Sequence, residues 1–269
     1  MRFISLICVG LSLALQGCSK TDWVKVDDFE APDAIKAWHR LDVDNQTDPF
    51  IESPQISDIK AENGNHFMIR KPAAEGVIGN RKAIGLRGLP DPIAAGDIAT
   101  LYVRFNVEAF PNNHSFGLTN RGADDMAELG YNAFEPMFRI TDKAESDGTK
   151  NDGTFMVLTG PKTYAKIKNP KTGEAAKPLD PNIWYEMWGV INNAPVAKGG
   201  QSYDLYMRGG EFTEQIKVFE GAQFRMKREE GLIGFMAISN TGPKRDPYGN
   251  GGVRYDDIFI ANGRVLTTP

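Results

Sequence analysis

Cysteine is almost absent from this chain: there are two in 269 residues, Cys8 and Cys18. Everything beyond residue 18 lacks a thiol for a disulfide, a metal site or a nucleophile, so its stability must come from a core. Histidine is nearly as scarce, with only His39, His66 and His114, and none stands at a metal-ligand spacing such as H-x-x-x-H. Neither sign of charge dominates. The 31 basic residues face 35 acidic ones, for a net charge of −4, which argues against general nucleic-acid binding. No G-x-S-x-G, P-loop or dinucleotide motif occurs. No Ser/Gly/Pro linker interrupts the chain, and no blade-length repeat supports a propeller. After residue 15 no run is apolar enough to cross a bilayer, which takes about 20 residues.

What is present begins with Met1-Arg2, one positive charge, and a mostly apolar run from Phe3 to Leu15. Leu15-Gln16-Gly17-Cys18 follows. A basic start, a short apolar stretch and a small residue before a cut make the three-part layout of a secretory signal. Its last four residues resemble the lipobox of bacterial lipoproteins. That resemblance implies a signal peptide over 1–17, a lipid on Cys18 and a short tether over 18–22. It also implies an exported protein held to a membrane by its acyl group. Ser19 stands where many inner-membrane lipoproteins carry aspartate, so the resemblance points to the outer membrane, periplasmic or surface-facing. The mature chain would then have 252 residues and a net charge of −5, enough for one large β domain over 23–269.

From Trp23 onward short strands alternate with turns; glycine and proline together number 44. Leu101 to Glu108 places apolar residues at odd positions and mostly polar ones at even positions, the pattern of a half-buried strand. Phe134, Pro136, Phe138 and Ile140 alternate in the same way. Trp184, Glu186 and Trp188 share one strand face, and Tyr185 and Met187 the other, with Ile191 assigned to that second face as well. The shared face of the two tryptophans favours packing in the core. Further strands are expected at 24–29, 66–70, 83–89, 115–119, 154–158, 203–208, 216–219, 232–239 and 254–261, about twelve in all. Only Pro32–Trp38 and Ala123–Leu129 read as helical. Many strands, no long helix and one continuous domain predict an all-β, two-sheet antiparallel β-sandwich.

Val26-Asp27-Asp28-Phe29-Glu30 near the start and Val253 to Ile260 near the end resemble the opening and closing strands of concanavalin-like jelly rolls. Trp184 to Trp188, followed by Tyr203 to Tyr206 and Gly209-Gly210, resembles the back-sheet strand pair of laminarinase-type sandwiches. The resemblance implies two antiparallel sheets, one concave, with the terminal strands side by side. It also implies a structural calcium shared by those strands, with Asp28, Glu30 and Asp257 as ligands; Asp256 points the other way along a regular strand. Calcium needs six to eight oxygens, and these acids could equally cap turns or pair with Lys25 or Arg254. The E-x-D-x-x-E strand of laminarinase-type hydrolases is missing, as are the signature strands of jelly-roll alginate lyases, so no activity carries over.

Candidate site residues lie on loops and strand ends, where rigid sandwiches often carry function. Residues 161–182 hold Lys162, Lys166, Lys168, Lys171 and Lys177 around Tyr164, a basic, aromatic stretch suited to an acidic polysaccharide. Residues 241–250 form a second turn-rich loop with Tyr248. Tyr131, Tyr164 and Tyr248 are stacking candidates. Glu135 and Arg139, four apart, belong to one strand face. The expected ligand set is therefore Tyr131, Glu135, Arg139, Tyr164 and Tyr248, binding polysaccharide or oligosaccharide on the concave face and its rim. An enzyme reading, a polysaccharide lyase or glycoside hydrolase, would use His114, Asn132, Arg139 and Tyr164 as the converging acid–base set. A third reading is a structural envelope lipoprotein that binds another protein.

Overall fold

The computed structural model describes residues 23–145, 147–242 and 248–269. The expected export signal, lipid-bearing cysteine and tether all fall outside the described residues. Fifteen strands are described: β1 (Val24–Asp27), β2 (His39–Asp48), β3 (Ile56–Glu62), β4 (Asn65–Lys71), β5 (Ile78–Ile93), β6 (Ile98–Val107), β7 (Asn113–Thr119), β8 (Phe134–Thr141), β9 (Met156–Gly160), β10 (Thr163–Lys166), β11 (Trp184–Asn192), β12 (Ser202–Gly209), β13 (Phe212–Gln223), β14 (Leu232–Asn240) and β15 (Val253–Asn262). One α-helix, α1, spans Ala123–Leu129, the range its sequence predicts. The helix expected at 32–38 is a single 3₁₀ turn over Ala34–Ala37.

The strands form two antiparallel sheets. The eight-stranded sheet runs β13-β12-β11-β6-β15-β4-β3, with β1 added beside β15. The seven-stranded sheet runs β10-β9-β8-β7-β14-β5-β2. The first and last strands pair as expected, with Val24 opposite Ile260 and Lys25 opposite Phe259. β11 and β12 also pair, Trp188 opposite Tyr206.

Between the sheets lies an aromatic core. Phe105 packs on Phe155 at 5.2 Å between ring centres and on Phe116 and Tyr185 at 5.6 Å. Phe116 touches Phe138, Phe235 and Tyr255 as well. Each such ring, fully withdrawn from water, contributes about 2–3 kcal/mol of burial, and the cluster takes the place of the missing disulfides.

A second apolar cluster sits on the outer face of the seven-stranded sheet. Ile84, Met137, Met236 and Ile238 are buried there beneath Met126 of α1 and Ala133 of the 3₁₀ turn Gly130–Ala133. One half of this outer face is therefore covered, and Tyr131 stands at the border of the covered part.

Candidate functional site

The other half of that face is open. A cleft of about 620 Å³ lies over β8, β9 and β10, with Ala144, Glu145, Asp147, residues 149–151 and Gly242 on its rim. Its floor follows from strand register: Arg139 stands opposite Ser115 on β7 and Met156 on β9, and Lys166 stands opposite Met156. Period-two alternation sends these side chains to one face. Tyr131 and Tyr164 form walls of the same cleft.

Arg139 is the centre of the electrostatics. Its guanidinium lies 4.7 Å from the centre of the Tyr164 ring. It donates to Glu145 Oε1 at 2.5 Å and to Asn113 Oδ1 at 3.4 Å, while its Nε has no partner among the described residues. Burial works to lower its pKa, but Tyr164, Tyr131 and Glu145 around it raise it by more, so it stays charged. Burial pushes the Tyr131 hydroxyl up, with Arg139 opposing. Arg225 ties the wall together: it donates to Asn132 Oδ1 at 3.2 Å and to the Tyr164 hydroxyl at 3.3 Å. Among the described residues, five basic ones line the cleft, Arg139, Lys150, Lys162, Lys166 and Arg225, against two acidic ones, Glu145 and Asp147. The cleft is thus positive on a molecule that is negative overall.

The expected site residues divide. Tyr131, Arg139 and Tyr164 come together in the cleft, and Asn132 adjoins it through Arg225. Glu135 does not line it. Its carboxylate is buried, accepting from Arg228 at 2.9 Å and from the backbone N–H groups of Met226 and Lys227. Those bonds consume it in holding residues 226–228. His114 lies in the interior, with no exposure, sharing hydrogen bonds with the Gly251 carbonyl and the Ser239 hydroxyl at 2.9 Å each. Burial takes it down to about 3, so neither its place nor its proton suits acid–base work in the cleft. Tyr248 is exposed and is not among the described lining residues.

The lysine-rich loop also splits. Lys162 and Lys166 reach the cleft. Lys171 pairs with Glu214 at 2.8 Å, and the backbone at Lys168 and Lys177 is held by Val218 and Glu211. Asn113, Arg225 and Asn240 were not expected in the site. They come from three distant segments, and no local pattern joins them.

The acids expected to hold calcium do not converge. Asp28 pairs with Lys25 at 2.8 Å, Glu30 with His66 at 2.7 Å, and Asp257 with Arg104 at 2.9 Å. Each is opposed by a cationic or histidine partner, and among the described residues no three His, Cys, Asp or Glu side chains form a metal-binding group. The donor set does not fit a calcium ion at the paired termini.

Trp184 and Trp188 are also placed differently from expectation. They occupy the outer face of the eight-stranded sheet. Tyr185, Met187 and Ile191 point into the core between the sheets. Trp188 packs with Tyr102 and Tyr206 in a separate cluster.

Neither a family model nor a curated protein matches this chain. Solved structures do. The exoplasmic/lumenal domain of VIP36, in its Ca2+/Man3GlcNAc-bound form, is similar with a TM-score of 0.50 and 10% identity, over 92% of this chain and 93% of that one. The PL-14 alginate lyase of Aplysia kurodai follows with a TM-score of 0.49 and 11% identity, over 79% and 87% of the two chains. Lectin II of Ulex europaeus gives 0.45 and 7%, over 84% and 99%. The fold is a concanavalin-like jelly roll. At such identities the likeness extends to the fold alone.

Proposed function

We propose that this protein binds an acidic polysaccharide in the cleft over β8–β10, at the cell envelope, where a lipid on Cys18 would hold it. The observation that carries this reading is the cleft's combination of five basic residues with two tyrosine walls. Sugar rings have apolar C–H faces that pack on aromatic rings, and uronate carboxylates pair with guanidinium and ammonium groups. The Lipobox-like sequence at Leu15–Cys18 supports the location.

The test is affinity electrophoresis of the full chain in gels containing alginate or pectate, with polymer-free gels as controls. Retardation by acidic polymers is expected, and it should weaken as salt screens the charges. Arg139→Ala should weaken the affinity roughly tenfold, about 1.4 kcal/mol. Silence across all acidic polymers would overturn the proposal.

Cleavage of the same polymer is the second reading, favoured by the Tyr131 hydroxyl beside Arg139. β-Elimination needs a group that accepts a proton near neutral pH, and burial moves Tyr131 away from that range. Binding without new unsaturated chain ends is the expected outcome, read as absorbance on incubation with alginate. A rise in absorbance that Tyr131→Phe abolishes would establish the lyase instead.

A further inference from the structure

The outer face of the eight-stranded sheet carries a second concavity, on the opposite side of the molecule from the basic cleft. Cross-strand register builds it from two adjacent rows. One is aromatic: Tyr206, Trp188, Tyr102 and Phe259 stand opposite one another in turn across β12, β11, β6 and β15. The other is charged: Arg208, Glu186, Arg104 and Asp256 stand opposite one another on the same four strands. The segment after β15 crosses part of the aromatic row, where Trp188 Nε1 donates to the Thr267 carbonyl at 2.9 Å. What stays open is a groove of about 800 Å³ over the charged row, walled by Trp23, Trp184 and Phe259. An adjoining hollow of about 410 Å³ shares Arg104 and Trp184 with it and continues toward Phe67 and Asn65.

The chemistry of this groove differs from that of the basic cleft. Two cations, Arg104 and Arg208, face the carboxylates of Glu186 and Asp257, with the buried Asp256 behind Arg104, so it lacks the cationic excess of the basic cleft. The charges are also locked. Arg208 pairs with Glu186, the Tyr102 hydroxyl donates to Glu186 at 2.8 Å, and Arg104 bridges Asp256 at 3.0 Å and Asp257 at 2.9 Å. Fixed Arg–carboxylate pairs offer donors and acceptors side by side without a cationic excess. That array matches a ligand with many hydroxyl groups, each both donor and acceptor. Arg104 lies 5.1 Å from the centre of the Trp184 ring, and Phe67 meets that ring edge-on at 5.6 Å. These contacts fix the indole beside the polar row as a stacking surface. An aromatic wall, a balanced polar floor and a volume in the range of small-ligand sites occur together here.

We infer that this groove is a second carbohydrate site, selective for neutral polysaccharide chains and independent of the acidic-polymer cleft. The two sites lie on opposite outer faces with the aromatic core between them, so their failures are separable.

The test uses the full chain in affinity gels with laminarin, galactomannan and xyloglucan, beside alginate. At least one neutral polymer should retard the protein. Trp184→Ala should weaken that retardation at least tenfold, and Arg208→Ala, at the exposed rim, should weaken it severalfold; neither should change alginate binding. Arg139→Ala should show the reverse. Binding of the neutral polymer should also change tryptophan fluorescence, and the change should diminish in Trp184→Ala. No retardation by any neutral polymer, or retardation that both groove variants leave intact, would overturn the inference. So would binding to phosphatidylglycerol vesicles that depends on Trp184 in the absence of any glycan binding, since the groove would then be a membrane contact.

Discussion

His114 shows what a single buried side chain does to stability. Burial holds its folded pKa down at about 3, against an ordinary 6.5. Between those values the unfolded chain binds a proton that the folded chain does not, so stability falls as pH drops from about 6.5 toward 3. Asp256 works in the opposite direction. Burial raises its carboxyl from 3.8 to about 6, so the folded state holds the proton in that window and gains stability as pH falls through it. The histidine is displaced further, and a net loss of stability in acid is expected. Melting curves between pH 7 and pH 4 should fall less steeply for His114→Gln than for the parent, and more steeply for Asp256→Asn. Equal slopes in all three would refute this account.

At the scale of elements, β8 governs the cleft. Pro136 sits inside this strand, where a missing N–H would break the ladder. The register with β7 shifts between Gly117 and Thr119, and this irregularity accommodates it. Gly117 has a φ of +154°, and a Cβ there would lie 2.1 Å from the Pro136 carbonyl oxygen. Gly117→Ala should therefore cost about 2–3 kcal/mol in a denaturant titration. Gly88→Ala, where nothing lies within 4 Å, should cost little.

The strands the sequence reading missed are β2, β3 and β10, all at sheet edges. Edge strands carry charge to discourage further pairing, so His39–Asp48 and Ile56–Glu62 are rich in charged and polar residues and show little apolar alternation. Central strands such as β6 and β14 were legible because at least one of their faces is apolar. The faces of β11 were legible as two sets, but not which set faced inward. Both contain aromatics, and on the outer set residues 264–267 cover Trp188 and Tyr206 while Trp184 stays open to the groove. In the site, Tyr131, Arg139 and Tyr164 could be named from residue type near loops. Arg225 and Asn113 could not, because their convergence depends on pairings between segments far apart in the chain.

At the scale of the whole molecule, the separation of the two outer faces makes a quantitative demand. Substitutions in sites with no shared partners add within about 0.5 kcal/mol. The double variant Arg139→Ala/Trp184→Ala should lose alginate and neutral-polymer binding by the amounts of the single variants. Because the terminal acids are held by Lys25, His66 and Arg104, a chelator should leave the melting midpoint unchanged. A drop on chelation would reveal a metal held elsewhere.

The strand order carries a consequence for how the molecule is made. β14 lies between β5 and β7 in one sheet, and β15 is bonded to β1, β4 and β6 in the other. These inner strands are the final two in the order of synthesis. A chain halted before residue 232 holds two sheets each split down the middle, with exposed ladders on both sides of each gap. Folding must wait for about the last ninth of the sequence, the residues after β14, since loop closure over such separations precedes any reward from pairing. Such a polypeptide stays threadable while it is being made, a property that would suit the export proposed above.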